Sequence, residues 1–183
     1  MNYSSERIAD LLVHLVRRSV QRSASELTSA QWSALRFFAH ANNFSRQPSA
    51  FASFHCTTRG TASQTVKSLV KLGYLERSRG LSDRRSAVFD VTSPGMEALN
   101  TDPLKTLVQT IDDLPQEQRE SLCASLLTFN KGSQEVGAKT QFGTCINCKH
   151  FRQSCLNSGF CNHSAAALDV YEIDKLCCKF SSI

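Results

Sequence analysis

No stretch of the chain approaches the roughly 20 consecutive apolar residues needed to cross a bilayer. The opening MNYSSERIADLLVHLVRRS breaks its apolar residues with charge and shows no signal-peptide cleavage pattern. A cytoplasmic protein without a membrane partner is therefore expected. Also missing are a dinucleotide-binding glycine pattern, a nucleophile elbow and any locatable acid/base constellation, which argues against an enzyme. Cysteine is scarce up to residue 140, where Cys56 and Cys123 stand alone and each reads as a small packed hydrophobe. His14, His40 and His55 have no local partner at metal-site spacing. A chain of 183 residues has room for one good core and a small appendage, not comfortably for two full domains.

Positive charge is concentrated in residues 57 to 92. Arg59, Lys67, Lys71, Arg77, Arg79, Arg84 and Arg85 face only Glu76, Asp83 and Asp90 there, a local net of +4 in a chain of net +5. Thr57 or Thr58 can cap a helix whose Val66, Leu69, Val70 and Leu72 recur at helical spacing, and Gly73 is a natural stop. Tyr74 and Leu75 then begin an extended run, Gly80 to Asp83 can turn it, and Val88 to Val91 carry the return strand. A polar, cationic helix beside an arginine-rich hairpin suits a major groove and the adjoining phosphates or minor groove. The plainer reading is a solvated basic surface.

The flanks are helical. Ile8, Leu11, Leu12, Leu15, Val16 and Val20 make an apolar stripe that suits either burial in the chain or a subunit contact. Thr28 and Gln31 stand in capping-box spacing before Trp32, Leu35, Phe38 and Ala39, a stretch of core scaffold, and a short helix is expected over Ser49 to Cys56. After Thr92-Ser93-Pro94 the apolar signal continues through Met96, Leu99, Leu104, Leu107, Val108 and Ile111 with a break at Pro103, and Pro115 opens a last helix carrying Leu122, Leu126, Leu127 and Phe129.

The order of these elements, with LTSAQWSALRFFAHA, TTRGTASQTVKSLVKLGYLERS and LSDRRSAVFDVTSPG, resembles the MarR family of winged helix-turn-helix regulators over roughly residues 5 to 131. The resemblance implies a mainly α fold with a small β wing, dimerised through its N- and C-terminal helices. It implies a transcriptional regulator, usually a repressor, acting as a homodimer on palindromic double-stranded DNA. Arg59, Thr61, Ser63, Gln64, Thr65 and Lys67 would lie at the major groove and Arg84 in the minor groove, with Asp83 and Arg85 holding the wing tip and Arg77 adding basic contact. Relatives of this kind often answer a small-molecule effector, but no pocket for one is legible here.

Six cysteines crowd the end of the chain: Cys145, Cys148, Cys155, Cys161, Cys177 and Cys178. Three segments are therefore expected, 1–131 as the DNA-binding and dimerisation domain, 132–141 as a linker and 142–183 as a cysteine-rich module. CxxC at Cys145 and Cys148, followed by Cys161 and then Cys177 or Cys178, suits an iron-sulfur cluster, with structural zinc as the alternative. The single CxxC favours the cluster, and similarity to the cysteine-rich tails of some such regulators favours Cys177 as the fourth ligand. Cys155, Cys178, His150 and His163 are alternative ligands, and Phe142, Phe151, Phe160 and Phe180 would shield the site. On this reading the cluster would sense redox state, nitric oxide or iron and modulate DNA affinity. The alternatives are a ligand-responsive regulator with a zinc clip, and a metal-stabilised structural or protein-interaction module.

Overall fold

Spacing of apolar side chains decides how the central helices pack. A computed structural model describes residues 4–21, 27–79, 87–134, 141–155 and 158–183. Helix α1 spans Ser5–Gln21, α2 Ser29–His40, α3 Pro48–Phe54 and α4 Arg59–Lys71. Helix α2 is the hub, with Trp32, Ala34, Leu35, Phe37 and Phe38 all buried. Its start is the expected capping box, Thr28 accepting from the Gln31 amide while the Gln31 side chain accepts from the Thr28 amide. Phe51 of α3 and Ala62, Val66 and Leu69 of α4 close the core around it.

In α4 the buried face runs Ala62, Val66, Leu69, a shift from the expected stripe. Val70 and Leu72 lie near its two edges, and both are exposed. The helix ends in a Schellman arrangement, with Gly73 at φ 79°, its amide bonded to Val70 and the Tyr74 amide bonded to the Leu69 carbonyl. Strand β1, Leu75–Arg79, pairs antiparallel with β2, Ala87–Val91, in register Leu75 to Val91 and Arg79 to Ala87. Thr92 then ties the strand exit to the helix end. Its hydroxyl donates to the Gly73 carbonyl at 2.6 Å and accepts from the Gly95 amide, capping α5, Ser93–Leu99. The mainly helical lobe with its two-stranded wing is a winged helix-turn-helix.

Helices α6, Lys105–Asp112, and α7, Gln116–Gln134, follow, separated from α5 as the proline at 103 requires. Apolar residues of α1 and α7, among them Leu11, Leu15, Leu126 and Phe129, are exposed. Cys56 and Cys123 are exposed as well, contrary to the expectation that they pack, and Cys56 has positive φ in the turn before α4. Among the described residues no helix is long and apolar enough to cross a membrane.

Residues 141–155 and 158–183 contain a three-stranded antiparallel sheet, β3 Phe151–Cys155, β4 Ser158–Cys161 and β5 Ala166–Asp169, with the short helix α8 at Val170–Ile173. Its buried Cys145, Cys161 and Leu168 pack with Phe151, Ile173 and Phe44, the last contributed by the segment between α2 and α3. That segment also bonds the tail backbone: Asn42 N donates to the Leu176 carbonyl and Leu176 N to the His40 carbonyl, at 2.9 and 2.8 Å. Cys178 N donates to Ser45 Oγ at 2.8 Å, and Phe142 stacks edge-on with Phe54.

Candidate nucleic-acid interface and the tail thiols

Helix α4 is held at both ends, so its free face has a fixed orientation. Thr58 Oγ1 accepts from the Thr61 amide at 3.1 Å, satisfying one of the donors that a helix start leaves unpaired. Arg59, Thr61, Gln64 and Lys67 are exposed, and Ser63 and Thr65 are half-buried along the same helix. Not all six have equal freedom. Thr61 shares its hydroxyl with Thr58, and Thr65 donates its own to the Thr61 carbonyl. Arg59, Gln64 and Lys67 are thus the long exposed side chains of this face, two cationic and one able both to donate and to accept.

Arg77 is exposed on β1, one short turn from the helix end. The remaining wing residues read from the sequence, Asp83, Arg84 and Arg85, lie outside the described residues, as does the expected turn at Gly80 to Asp83. The wing strands are anchored at their base. Asp90 on β2 receives Arg46 Nη1 at 2.7 Å. Burial works to raise the Asp90 carboxyl, but hydrogen bonds from Ser78 and Arg46 and the charges of Arg46 and Lys175 outweigh it and hold the group below its ordinary range.

The iron-sulfur cluster expected in the tail, and its zinc alternative, are overturned by the arrangement found. Among the described residues no group of three or more His, Cys, Asp or Glu side chains is placed to hold a metal ion. Cys145, Cys148, Cys161 and Cys177 do line one cavity of about 10 Å³, together with Asn42, Phe44, Phe151, Leu168 and Lys179. They line it as free, buried thiols. Burial, followed by the neighbouring Cys177, Cys161 and Cys148, pushes the Cys145 thiol up to about 12, and burial raises Cys177 although Asn42 and the Lys179 amide oppose it. The four thiols pack as small, buried hydrophobes.

The alternative ligands go elsewhere. Cys178 turns its sulfur to the Phe44 carbonyl at 3.5 Å, and the His150 and His163 rings pair with each other at 5.1 Å. The side chain of Cys155 lies outside the described residues.

Sequence reading missed Arg46, Asn42 and Glu172. Asn42 is wholly buried, its Oδ1 accepting from Phe44 N and Ser45 Oγ. Arg46 and Glu172 meet at 3.0 Å across 126 residues, a separation at which no local spacing rule operates.

Residues 25–86 match the MarR family profile, a segment that takes in the core helices, α4 and the first part of the wing. Three solved structures illustrate the likeness. S. aureus MepR in its DNA-binding conformation superposes with a TM-score of 0.61 at 17% identity, covering 72% of this chain and 100% of that one. Streptococcus pneumoniae FabT in complex with DNA gives 0.56 at 18% identity, covering 73% and 100%. A MarR transcriptional regulator from Methanosarcina mazei Go1 gives 0.56 at 19%, again covering 73% and 100%. At these identities the likeness is one of fold. No curated protein matches the chain.

Proposed function

We propose that this chain is a sequence-specific, DNA-binding transcriptional regulator of the MarR type. It acts in the cytoplasm as a homodimeric repressor on a palindromic duplex. Its activity is binding, not catalysis. The observation that carries the reading is the exposed Arg59, Gln64 and Lys67 face of a helix capped at Thr58 and joined through Gly73 directly to a β hairpin. FabT and MepR, which share this fold, are described respectively in complex with DNA and in a DNA-binding conformation.

In this reading Arg59, Thr61, Ser63, Gln64, Thr65 and Lys67 meet the major groove. Arg84 enters the minor groove, Asp83 and Arg85 hold the wing tip, and Arg77 adds basic contact. Exposed apolar side chains on α1 and α7 suit a two-fold partner, which would place two recognition helices about one duplex turn apart.

Fluorescence anisotropy with a promoter-derived two-fold duplex and a shuffled duplex of equal composition tests this at two salt concentrations. The two-fold site should bind about 1,000-fold or more tightly than the shuffled one. Arg84→Ala should weaken binding at low salt with folding unchanged. Equal affinity for both duplexes after salt correction would sink the reading.

A further inference from the structure

Arg46 sits between α2 and α3, and its guanidinium divides its donors among three separate parts of the molecule. Nε donates to the Ala41 carbonyl at the end of α2, at 3.1 Å. Nη1 bonds Asp90 on wing strand β2 at 2.7 Å, and Nη2 bonds Glu172 in the tail at 3.0 Å. Its own carbonyl accepts from Phe89 N on the same wing strand at 2.9 Å. A planar guanidinium presents five donors in a rigid fork, so the positions of its partners are linked through it.

Glu172 is equally committed. It is buried, and its second oxygen accepts from Asn43 N at 2.6 Å. Lys175 lies 3.2 Å from the oxygen that Arg46 uses, and the Glu172 amide is itself held by Asp169 Oδ1 at 3.0 Å. Charge therefore alternates from Asp90 through Arg46 and Glu172 to Lys175. Half-buried Arg46 is neutralised from the wing on one side and from the tail on the other.

We infer that Glu172 is a positioning residue for the wing: the tail, through Glu172 and Arg46, sets where β2 and its hairpin stand relative to α4. The inference rests on the DNA-binding reading for its consequence, but its structural half does not depend on it. Neutralising Glu172 leaves Arg46 with one carboxylate. A glutamine offers one acceptor oxygen where Glu172 offers two, to Arg46 and to the Asn43 amide, so the tail side keeps at most one neutral hydrogen bond and the constraint on the base of the wing strand is weakened.

The test uses the full chain with Glu172→Gln, which keeps the side-chain volume and removes the charge. Asp174→Asn, which neutralises an exposed tail carboxylate outside the network, is the control. Two-fold duplex affinity should fall about 2- to 30-fold in Glu172→Gln, the range of coupling through packed networks, and stay near wild type in Asp174→Asn. Arg46→Lys, which keeps the charge but cannot span three partners, should behave as Glu172→Gln does.

A merely global destabilisation is separated by double-mutant cycles. The effect of Glu172→Gln should shrink in an Arg77→Ala background, where a wing contact is already gone, and persist in Arg59→Ala. Equal effects in both backgrounds, or unchanged affinity in Glu172→Gln, would overturn the inference. Hydrogen exchange in the DNA-free chain gives the independent readout, with faster exchange at Phe89 and Val91 expected in Glu172→Gln. Unchanged protection there overturns the inference even if wild-type chain fails to discriminate duplexes, an outcome that by itself would fault only the DNA-binding reading.

Discussion

The winged lobe and the tail bury themselves by different means. The lobe encloses large carbon side chains, Trp32, Leu35, Phe37, Phe38, Phe51 and Leu69, with Phe37 and Phe38 edge-to-face at 5.4 Å. The tail encloses Cys145, Cys161 and Leu168 and completes that small core with Phe44 from the lobe. A segment of some forty residues has too little interior to stand well alone. Its thiols fill space without supplying much apolar area, and its position relies on Phe142, Leu176 and Cys178 packed against the lobe core, on backbone bonds to Asn42 and His40, and on the Glu172–Arg46 pair. The lobe should therefore tolerate damage to the tail better than the tail tolerates damage to the lobe.

The sharpest way to break that asymmetry is a large-to-small change in each core. Phe38→Ala should cost about 3–5 kcal/mol, and Leu168→Ala about 2–5 kcal/mol at most, since cavity terms depend on how far each site relaxes. The distribution of the loss matters more than its size. Urea denaturation with hydrogen exchange should show Phe38→Ala lowering protection in both regions. Leu168→Ala should lower it in β4 and β5 while the α2 amides keep theirs. Loss of α2 protection in Leu168→Ala would show the dependence to be mutual.

Two glycines give the next contrast. A Cβ on Gly95 would meet the Tyr74 backbone carbonyl and the Val91 side chain, neither of which can move without disturbing the junction of α4, wing and α5. On Gly159 it would chiefly meet the Phe151 ring, which can tilt within the small tail core. Overpacking typically costs about 1–3 kcal/mol. Gly95→Ala should fall at the upper end and Gly159→Ala at the lower, measured by chemical denaturation. Below both comes Thr58→Ala, which removes the α4 cap and should cost about 1 kcal/mol, with no effect on the tail.

What was legible in the residues follows the same division. Thr28 with Gln31, a cap at Thr57 or Thr58, the stop at Gly73 and a cap at Thr92 or Ser93 could be read because each acts on groups within a few positions, where cap and turn geometry is local. The burial of Trp32 followed from its place in a stripe. Val70 and Leu72 misled because both sit at the rim of the α4 face, where one helical step of rotation separates core from solvent. In the tail, Cys145, Cys148, Cys161 and Cys177 do line one cavity, but the metal expectation built on the CxxC spacing and on the resemblance that favoured Cys177 failed there, because spacing carries no information on sulfur placement. Arg46 and Glu172 left no trace in sequence, because their pairing exists only after lobe and tail have docked.

The smallest effect tests whether the wing end of that pairing is electrostatic. Asp90 is held below its ordinary value of 3.8 when folded, so the folded state binds its proton less readily than the unfolded chain. The stabilisation is therefore complete above the unfolded value and is lost as pH falls through the lower, folded one. The stability difference between wild type and Asp90→Asn should stay level from neutral pH to about pH 5 and close progressively below the ordinary carboxylate range. Asp90 is about one-third exposed, so solvent screens its pairing with Arg46 and the difference should be modest. A gap that persists undiminished in acid would mean that Asp90 holds the wing by shape and neutral hydrogen bonding, and the charge alternation from wing to tail would lose its first link.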